Sequence, residues 1–386
     1  MSEFLGRTRA VRRTYGLDEI ALVPASATVD PLDVDLSWSV GSYRFALPFM
    51  ASAMDSVVDV SVAAALSKLG ALGVLNLEGL QTRYEDPEEP LEQIAEAPPE
   101  DVVRLMQRLY QEPVKEHLVA ARVAAIVDGG GTAVVSITPG AASRLAPVAE
   151  RAGAHIIVIQ STVSTDRHHS SRGRSVPIRD LIAQTEVPVM VGNCVGYDAA
   201  MALLEAGAAG LFVGVGPGAA CTSRRVLGVG VPQATAIADV AAAREEYHRR
   251  SGRYVPVVAD GGIAVGGDVA KAIACGADAV MLGSALARAE EAPGRGYHWG
   301  MATPHAALPR GTRVKVTRTG TLEQILLGPA STDDGSQNLA EALRTAMGLC
   351  GARTIAEMHQ AEIIIAPTLG SEGKSLQFSQ KVGQGR

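Results

Sequence analysis

The stretch Gly214-Val215-Gly216-Pro217-Gly218-Ala219-Ala220-Cys221-Thr222-Ser223-Arg224 is the part of the chain best equipped for chemistry. Its three glycines at alternate positions strip side chains from the backbone, so N–H and C=O groups are open to an anion or a cation. Cys221 follows them, next to Thr222, Ser223, Arg224 and Arg225. Hydroxyls and positive charge near a thiol favour the thiolate, the nucleophilic form of cysteine. A buried structural thiol is the alternative reading of Cys221. It is the reading taken for Cys275 and Cys350, in helix-like contexts, and for Cys194.

Two turns carry a second signal. Asp260-Gly261-Gly262 and Gly283-Ser284 each end a short apolar run. Small residues there would let a phosphate approach backbone N–H groups, and Asp260 could accept hydrogen bonds from a ribose diol. Asp-Gly-Gly is also an ordinary turn sequence. Together with the cysteine loop, the two turns point to a phosphorylated, ribose-bearing substrate attacked by a thiolate. Other chemistries lack their residues: there is no G-x-x-x-x-G-K loop, no C-x-x-C pair and no H-E-x-x-H. His168-His169, among Arg167, Arg172 and Arg174, reads as a solvated loop, and the Glu88-Glu89 and Glu245-Glu246 pairs as solvated helix faces.

These residues need a scaffold that gathers them. Continuous apolar runs recur at 47–51, 71–75, 133–137, 156–159, 187–191, 210–213, 255–259 and 279–282. Runs that do not alternate suit strands buried on both faces of a parallel sheet. Helix-like segments lie between them at 60–69, 141–152, 199–206, 234–247 and 269–275, several closing on Ala-Gly or Cys-Gly-Ala as a C-cap before the next strand. This pattern of eight units predicts an α/β fold, a (β/α)8 TIM barrel, with an open doubly wound sheet as the competitor. In a barrel the strand C-termini form the active face. There the sequence places Ser52-Ala53-Met54-Asp55, Asn76, Ser136, Thr138, Gln160-Ser161-Thr162, Gly192-Asn193-Cys194, the cysteine loop, Asp260-Gly261-Gly262 and Gly283-Ser284.

Composition fits this scaffold. The 386 residues are 47% hydrophobic, 20% charged and 4% aromatic, which excludes a disordered chain and argues against an all-β sandwich. A net charge of −6 excludes a global basic groove, so no nucleic-acid partner is expected. No apolar run approaches the roughly 20 residues that span a bilayer, so no membrane partner is expected either. Four cysteines and no signal-peptide pattern at the start lead to the expectation of a cytoplasmic protein. The whole of 1–386 reads as a single barrel catalytic domain. It carries a helical insertion at 81–131, a flap region at 287–325 and a flexible tail at 368–386.

At this point the motifs resemble those of the IMP dehydrogenase/GMP reductase family, over nearly the whole chain. Tyr15-Gly16-Leu17-Asp18-Glu19-Ile20-Ala21-Leu22-Val23-Pro24-Ala25 is similar to its N-terminal signature, and Ala51-Ser52-Ala53-Met54-Asp55-Ser56-Val57 to its first-strand loop. The run from Gly214 to Arg224, with Gly228-Val229-Gly230-Val231-Pro232-Gln233 after it, resembles the family's cysteine loop and is the most specific match. Asp260-Gly261-Gly262-Ile263, Met281-Leu282-Gly283-Ser284, Tyr297 and Gly300-Met301 complete the likeness. The branch it resembles most is that of IMP dehydrogenase-related proteins without the tandem CBS regulatory module.

The resemblance implies a chemistry. Cys221 would attack C2 of the purine of IMP, hydride would leave to NAD, and water would release XMP from a covalent thioimidate. Ser223 stands where the family has a catalytic Thr. Gly218, Gly262, Gly283, Ser284 and Tyr297 would hold the phosphate, Asp260 the ribose, and Ser52, Met54, Gly300 and Met301 the rest of the nucleotide. Gln160, Ser161, Asn193 and Gly214 would face the cofactor. Carbonyls of Gly216, Gly218 and Cys221 would bind a monovalent cation, potassium. A homotetramer, or an octamer built from two, is implied as well.

Departures from the family pattern accompany the match. Gln160 replaces an Asp that touches the nicotinamide ribose, and Ala219 replaces a phosphate-contacting Ser. Asn76-Leu77-Glu78-Gly79 matches neither the dehydrogenase nor the reductase pattern, and Arg310 replaces a Glu or Gln that faces the purine. The stretch from Met301 to Pro309 is short for a flap bearing the Arg-Tyr pair that activates water; Arg310, Arg313 or His305 could take that role. The insertion is too small for two nucleotide-sensing modules, so purine control through them is not expected. IMP dehydrogenase is the first reading, GMP reductase with NADPH the second, and a non-catalytic purine-nucleotide-binding relative the third.

Overall fold

In the computed structural model of the chain, residues 3–5, 9–168, 176–300, 313–367, 374–380 and 383 are described. Eight parallel strands close into a barrel in chain order. They are β1 (Phe49–Ala51), β2 (Leu72–Asn76), β3 (Val134–Ile137), β4 (Ile156–Gln160), β5 (Val189–Cys194), β6 (Gly210–Val213), β7 (Val257–Asp260) and β8 (Ala279–Leu282). Three of them start two residues later than the apolar runs suggest. Pro48, Pro188 and Pro256 lie inside those runs and have no N–H to give the ladder, so pairing begins after each proline.

The barrel interior is filled by Met50, Leu72, Val74, Val134, Ile156, Val158, Met190, Phe212, Val258, Ala279 and Met281, all buried. Its N-terminal end is plugged by the hairpin Trp38–Val40/Tyr43–Phe45, whose Trp38, Val40 and Phe45 join the same cluster. The opposite end is left to the polar residues of the strand C-termini. A second, larger apolar layer lies between the strands and the outer helices.

The outer ring holds eight helices: α1 (Val60–Lys68), α4 (Glu116–Asp128), α5 (Pro139–Arg151), α6 (Ile178–Ile182), α7 (Tyr197–Glu205), α9 (Gln233–Ser251), α10 (Gly266–Ala274) and α12 (Leu339–Leu349). Between β2 and α4 the chain adds α2 (Glu88–Glu96) and α3 (Val102–Leu109). Helix α4 packs between α1 and α5, so it is the barrel's own helix for the second unit. The inserted part is therefore shorter than the 81–131 span expected from sequence, where three consecutive helical patterns cannot show which one joins the ring. The insertion has its own small core of Leu80, Leu91, Ile94, Val102, Met106, Leu109 and Trp299.

After β8, the arms β9 (Tyr297–Trp299) and β10 (Arg313–Lys315) pair antiparallel. A short helix α8 (Ser223–Leu227) follows the cysteine loop, and α11 (Leu322–Leu327) precedes α12. Leu322, Ile325 and Leu326 of α11 are buried in the main core, so the end of the expected flap region belongs to the packed body. Most of the expected tail at 368–386 lies outside the described residues; within it, Ser375–Gln380 is helical.

Candidate active site

The ring of strand C-termini brings the cysteine loop, the Asp-Gly-Gly turn and the Gly-Ser turn together. Cys221 is the one exposed thiol of the four. Its Sγ lies 3.4 Å from Ser223 Oγ and donates to it. The Cys221 amide donates to the Gly218 carbonyl at 3.0 Å, which folds the loop back on itself. Burial pushes the thiols of Cys194 and Cys275 up to about 12 and raises that of Cys350. A thiol held protonated in apolar surroundings is a poor nucleophile, so the structural reading fits these three.

The Arg224 guanidinium is held by backbone carbonyls. Its Nε donates to the Val215 carbonyl at 3.3 Å and its Nη2 to the Val231 carbonyl at 2.6 Å. The guanidinium thus braces the two ends of the loop. This use has no sequence signal beyond the proximity of an Arg to a Gly-rich run.

Asp260 is the polar centre of the barrel mouth. Its Oδ2 accepts from Asn193 Nδ2 at 2.7 Å and from Gln160 Nε2 at 3.0 Å. Gln160 Nε2 also donates to Asn193 Oδ1 at 2.6 Å, and Asn193 Nδ2 to the Gly214 carbonyl at 2.8 Å. Burial pushes the Asp260 carboxyl up to about 6, although the Asn193 and Gln160 amides both favour its charged form. Three of the residues expected to face a cofactor, Gln160, Asn193 and Gly214, therefore form one network around Asp260. Within it, Gln160 Oε1 is buried and has no partner. Ser161 is tied into its own loop, donating to the Val163 carbonyl at 2.8 Å.

Gln233 is a site residue to which sequence reasoning gave no role. Its Nε2 donates to the carbonyls of Val213 at 2.9 Å and Asp260 at 3.1 Å, tying β6 to β7 below the loop. Gly214 sits in this gap at φ +146°, and a Cβ there would fall onto the Asp260 carbonyl oxygen and press on the Gln233 amide. Only glycine fits. Gly261, at φ +80°, packs on the other side of the same junction. A Cβ there would meet the Gly218 amide nitrogen at 2.9 Å and Pro217 at 3.0 Å. Gly218 itself has space: its nearest neighbour would be Cys221 Cβ at 4.0 Å.

The Gly-Ser turn faces the first-strand loop. A Cβ on Gly283 would lie 3.3 Å from Met54 Sδ and 3.4 Å from Ser52 Oγ. The Ser284 hydroxyl is 3.2 Å from Nε2 of the buried His298, another residue not anticipated from sequence. Burial and the nearby Arg288 lower the His298 pKa, favouring the neutral ring. Tyr297 is half-buried, with the Arg313 guanidinium 4.3 Å above its ring. Gly300 closes the circle; its Cβ would come within 3.6 Å of the Ala220 carbonyl in the cysteine loop. Met301, His305 and Arg310 lie outside the described residues.

The arrangement brings an exposed thiol with a hydroxyl beside it, a buried carboxylate network and two glycine turns to one end of the barrel. Among the described residues no cluster of His, Cys, Asp and Glu suits a transition-metal ion, and no helix is long and apolar enough to cross a membrane.

Comparison with known proteins agrees with this geometry. Residues 14–375 match the family described as the IMP dehydrogenase / GMP reductase domain. An uncharacterized oxidoreductase of Mycolicibacterium smegmatis is 40% identical over 370 residues, covering 94% of this chain and 99% of the relative. An inosine-5'-monophosphate dehydrogenase of Methanocaldococcus jannaschii is 29% identical, covering 95% of each chain. The crystal structure of an IMP dehydrogenase/GMP reductase-like protein from Corynebacterium glutamicum superposes with a TM-score of 0.89 at 37% identity, covering 94% of this chain and 97% of that one.

Proposed function

The chain belongs to the IMP dehydrogenase/GMP reductase family, and from that premise we propose that it oxidises IMP to XMP with NAD+, holding the purine on Cys221 between the two half-reactions. The observation that carries this reading is the placement of Cys221. It is the exposed thiol of the chain, beside the Ser223 hydroxyl and on a loop that packs against the Asp260 turn.

Backbone N–H groups of Gly218, Gly262 and Gly283, with the Ser284 and Tyr297 hydroxyls, hold the phosphate of IMP. The Asp260 carboxylate accepts from the ribose diol. Ser52 and Met54 border the nucleotide next to Gly283, with Gly300 and Met301 from the flap. The Cys221 sulfur bonds to purine C2 as the thiol proton leaves, and the C2 hydrogen departs with its electron pair. Bound NAD+ supplies the acceptor for that hydride. Water then adds to C2, the C–S bond breaks, and the sulfur regains a proton as XMP leaves. The balance is IMP, NAD+ and water in; XMP, NADH and a proton out. Ser223, whose hydroxyl accepts from the Cys221 thiol, is the residue we assign to passing a proton at the sulfur, and Arg310 is the one we assign to activating the water.

The residues fit the cofactor at one atom in particular. Gln160 Oε1, buried and without a donor, suits a ribose hydroxyl or a carboxamide N–H. The Gly216, Gly218 and Cys221 carbonyls are the oxygen donors that potassium takes in place of water. Gly218 already accepts one hydrogen bond and keeps a second lone pair.

The short stretch at 301–309 favours a second reading, GMP reductase, which needs no activated water. Purified protein with potassium is mixed with IMP and NAD+, or with GMP and NADPH, and reduced nicotinamide is followed by absorbance. A rise in the first mixture supports the dehydrogenase, and a fall in the second supports the reductase. Silence in both, with IMP still bound, leaves a purine-nucleotide-binding protein without this chemistry.

A further inference from the structure

The helical insertion is joined to the active site through a buried residue that belongs to neither. Trp299, at the end of the first flap arm, is 1% exposed and sits in the insertion's own apolar core with Leu80, Leu91, Ile94, Val102, Met106 and Leu109. Its indole N–H donates to the Tyr110 hydroxyl at 2.9 Å, and Tyr110 donates to Asp55 Oδ2 at 2.6 Å. Asp55 is 2% exposed and follows Met54 on the loop after β1. The next residue, Ser56, takes the other end of Trp299: its Oγ accepts from the Trp299 amide at 3.2 Å. The hydrogen bonds all point one way, indole to phenol to carboxylate, which fits three groups with no other use for those donors.

Trp299 is flanked by His298, whose Nε2 lies 3.2 Å from the Ser284 hydroxyl, and by Gly300, where an added Cβ would come 3.6 Å from the Ala220 carbonyl of the cysteine loop. The rest of the flap root is held by the insertion too. Arg313 donates to the carbonyls of Ile94 and Ala95 while lying over the Tyr297 ring, and Arg295 pairs with Glu88 and Glu92 of α2. The insertion is thus the floor on which both arms of the hairpin stand.

We propose that Tyr110 is a positioning residue of the active site, holding the 298–300 segment against the Cys221 loop and the Ser284 turn through the buried Asp55–Tyr110–Trp299 chain. The role of the insertion is then to set the flap root for catalysis. The proposal rests on the reading of the Cys221 loop as the reaction centre.

Tyr110→Phe removes one oxygen and keeps the ring, and Trp299→Phe removes the indole donor from the other end. Both are compared with wild type and with the double variant by melting temperature, by kcat and KM with the nucleotide pair that wild type turns over, and by the rate of Cys221 alkylation without nucleotide, read by peptide mass. We expect Tyr110→Phe to lower kcat/KM about tenfold and to change the alkylation rate severalfold. In the double variant the melting temperature falls further, while kcat/KM and alkylation match Trp299→Phe alone, because Tyr110 acts through Trp299. Wild-type kcat/KM and alkylation in Tyr110→Phe, or effects on them that multiply in the double variant, would overturn the proposal. If Tyr110→Phe does not fold, unaltered rates in Trp299→Phe overturn it equally. If wild type turns over neither nucleotide pair, the functional reading has failed, and the alkylation rates decide the positioning role alone.

Discussion

Replacing Asp260 by Asn should stabilise the protein and weaken its hold on nucleotide. The carboxyl is pushed from 3.8 up to about 6, chiefly by burial. At neutral pH the fold therefore carries an ionised group that the unfolded chain ionises more easily. At ~1.4 kcal/mol for each pKa unit, the penalty is about 3 kcal/mol. An acid with a raised folded pKa binds more protons folded than unfolded between pH 4 and 6, so stability falls as pH rises through that window and the full penalty applies above it. Asn keeps an oxygen for the Gln160 and Asn193 amides and removes the charge. With an unfolding entropy of about 2 cal/mol/K per residue, 3 kcal/mol in a chain of this length is worth roughly 4 °C. Melting curves of wild type and Asp260→Asn without nucleotide, from pH 4 to 8, test this. The variant should melt higher at pH 8, and most of the gap should close on acidification to pH 4. IMP affinity, measured by calorimetry at pH 8, should fall by about tenfold or more, since a charged acceptor for the ribose diol is lost. A variant that melts at or below wild type at pH 8, or a gap as wide at pH 4 as at pH 8, would refute the reasoning.

Three further outcomes are expected. Gly214→Ala should yield a severely destabilised or insoluble protein, because its Cβ falls onto the Asp260 carbonyl, whereas Gly218→Ala should melt near wild type and weaken IMP binding through its phosphate; expression, melting temperature and calorimetry distinguish them. Gln233→Leu should cost about 2 kcal/mol of stability by removing the donor shared by the Val213 and Asp260 carbonyls, measured by denaturant titration. Arg310→Ala should slow release of the covalent intermediate and make it accumulate, read by rapid-quench mass analysis; unchanged turnover would count against its role.

The barrel was legible because its signals are local. Eight apolar runs, with helix-like segments between them and a C-capping glycine at the end of several, need no long-range information to be recognised, and even the late strand starts trace to three visible prolines. The candidate site was legible where a residue type has few other uses: Cys221 in a glycine loop, Asp260 before two glycines. What stayed hidden depends on distant partners. Arg224 reads as a charge beside the thiol, yet two carbonyls take its guanidinium. That Gln160, Asn193 and Gly214 meet across three strands around one carboxylate has no sequence signal. Tyr110 lies in an insertion with no motif, 55 residues from Asp55 and 189 from Trp299, and only the folded chain reveals that the three touch.

The central claim is that Cys221 carries the purine during turnover. Protein at work on IMP and NAD+ with potassium present is acid-quenched within the first turnovers and digested, and the peptide containing Cys221 is weighed. The account predicts a purine-nucleotide adduct on that peptide, formed and lost at rates that match NADH and XMP production, with neither adduct nor turnover in Cys221→Ala. Turnover that survives in Cys221→Ala, or NADH formation with no adduct at any quench time, would contradict it.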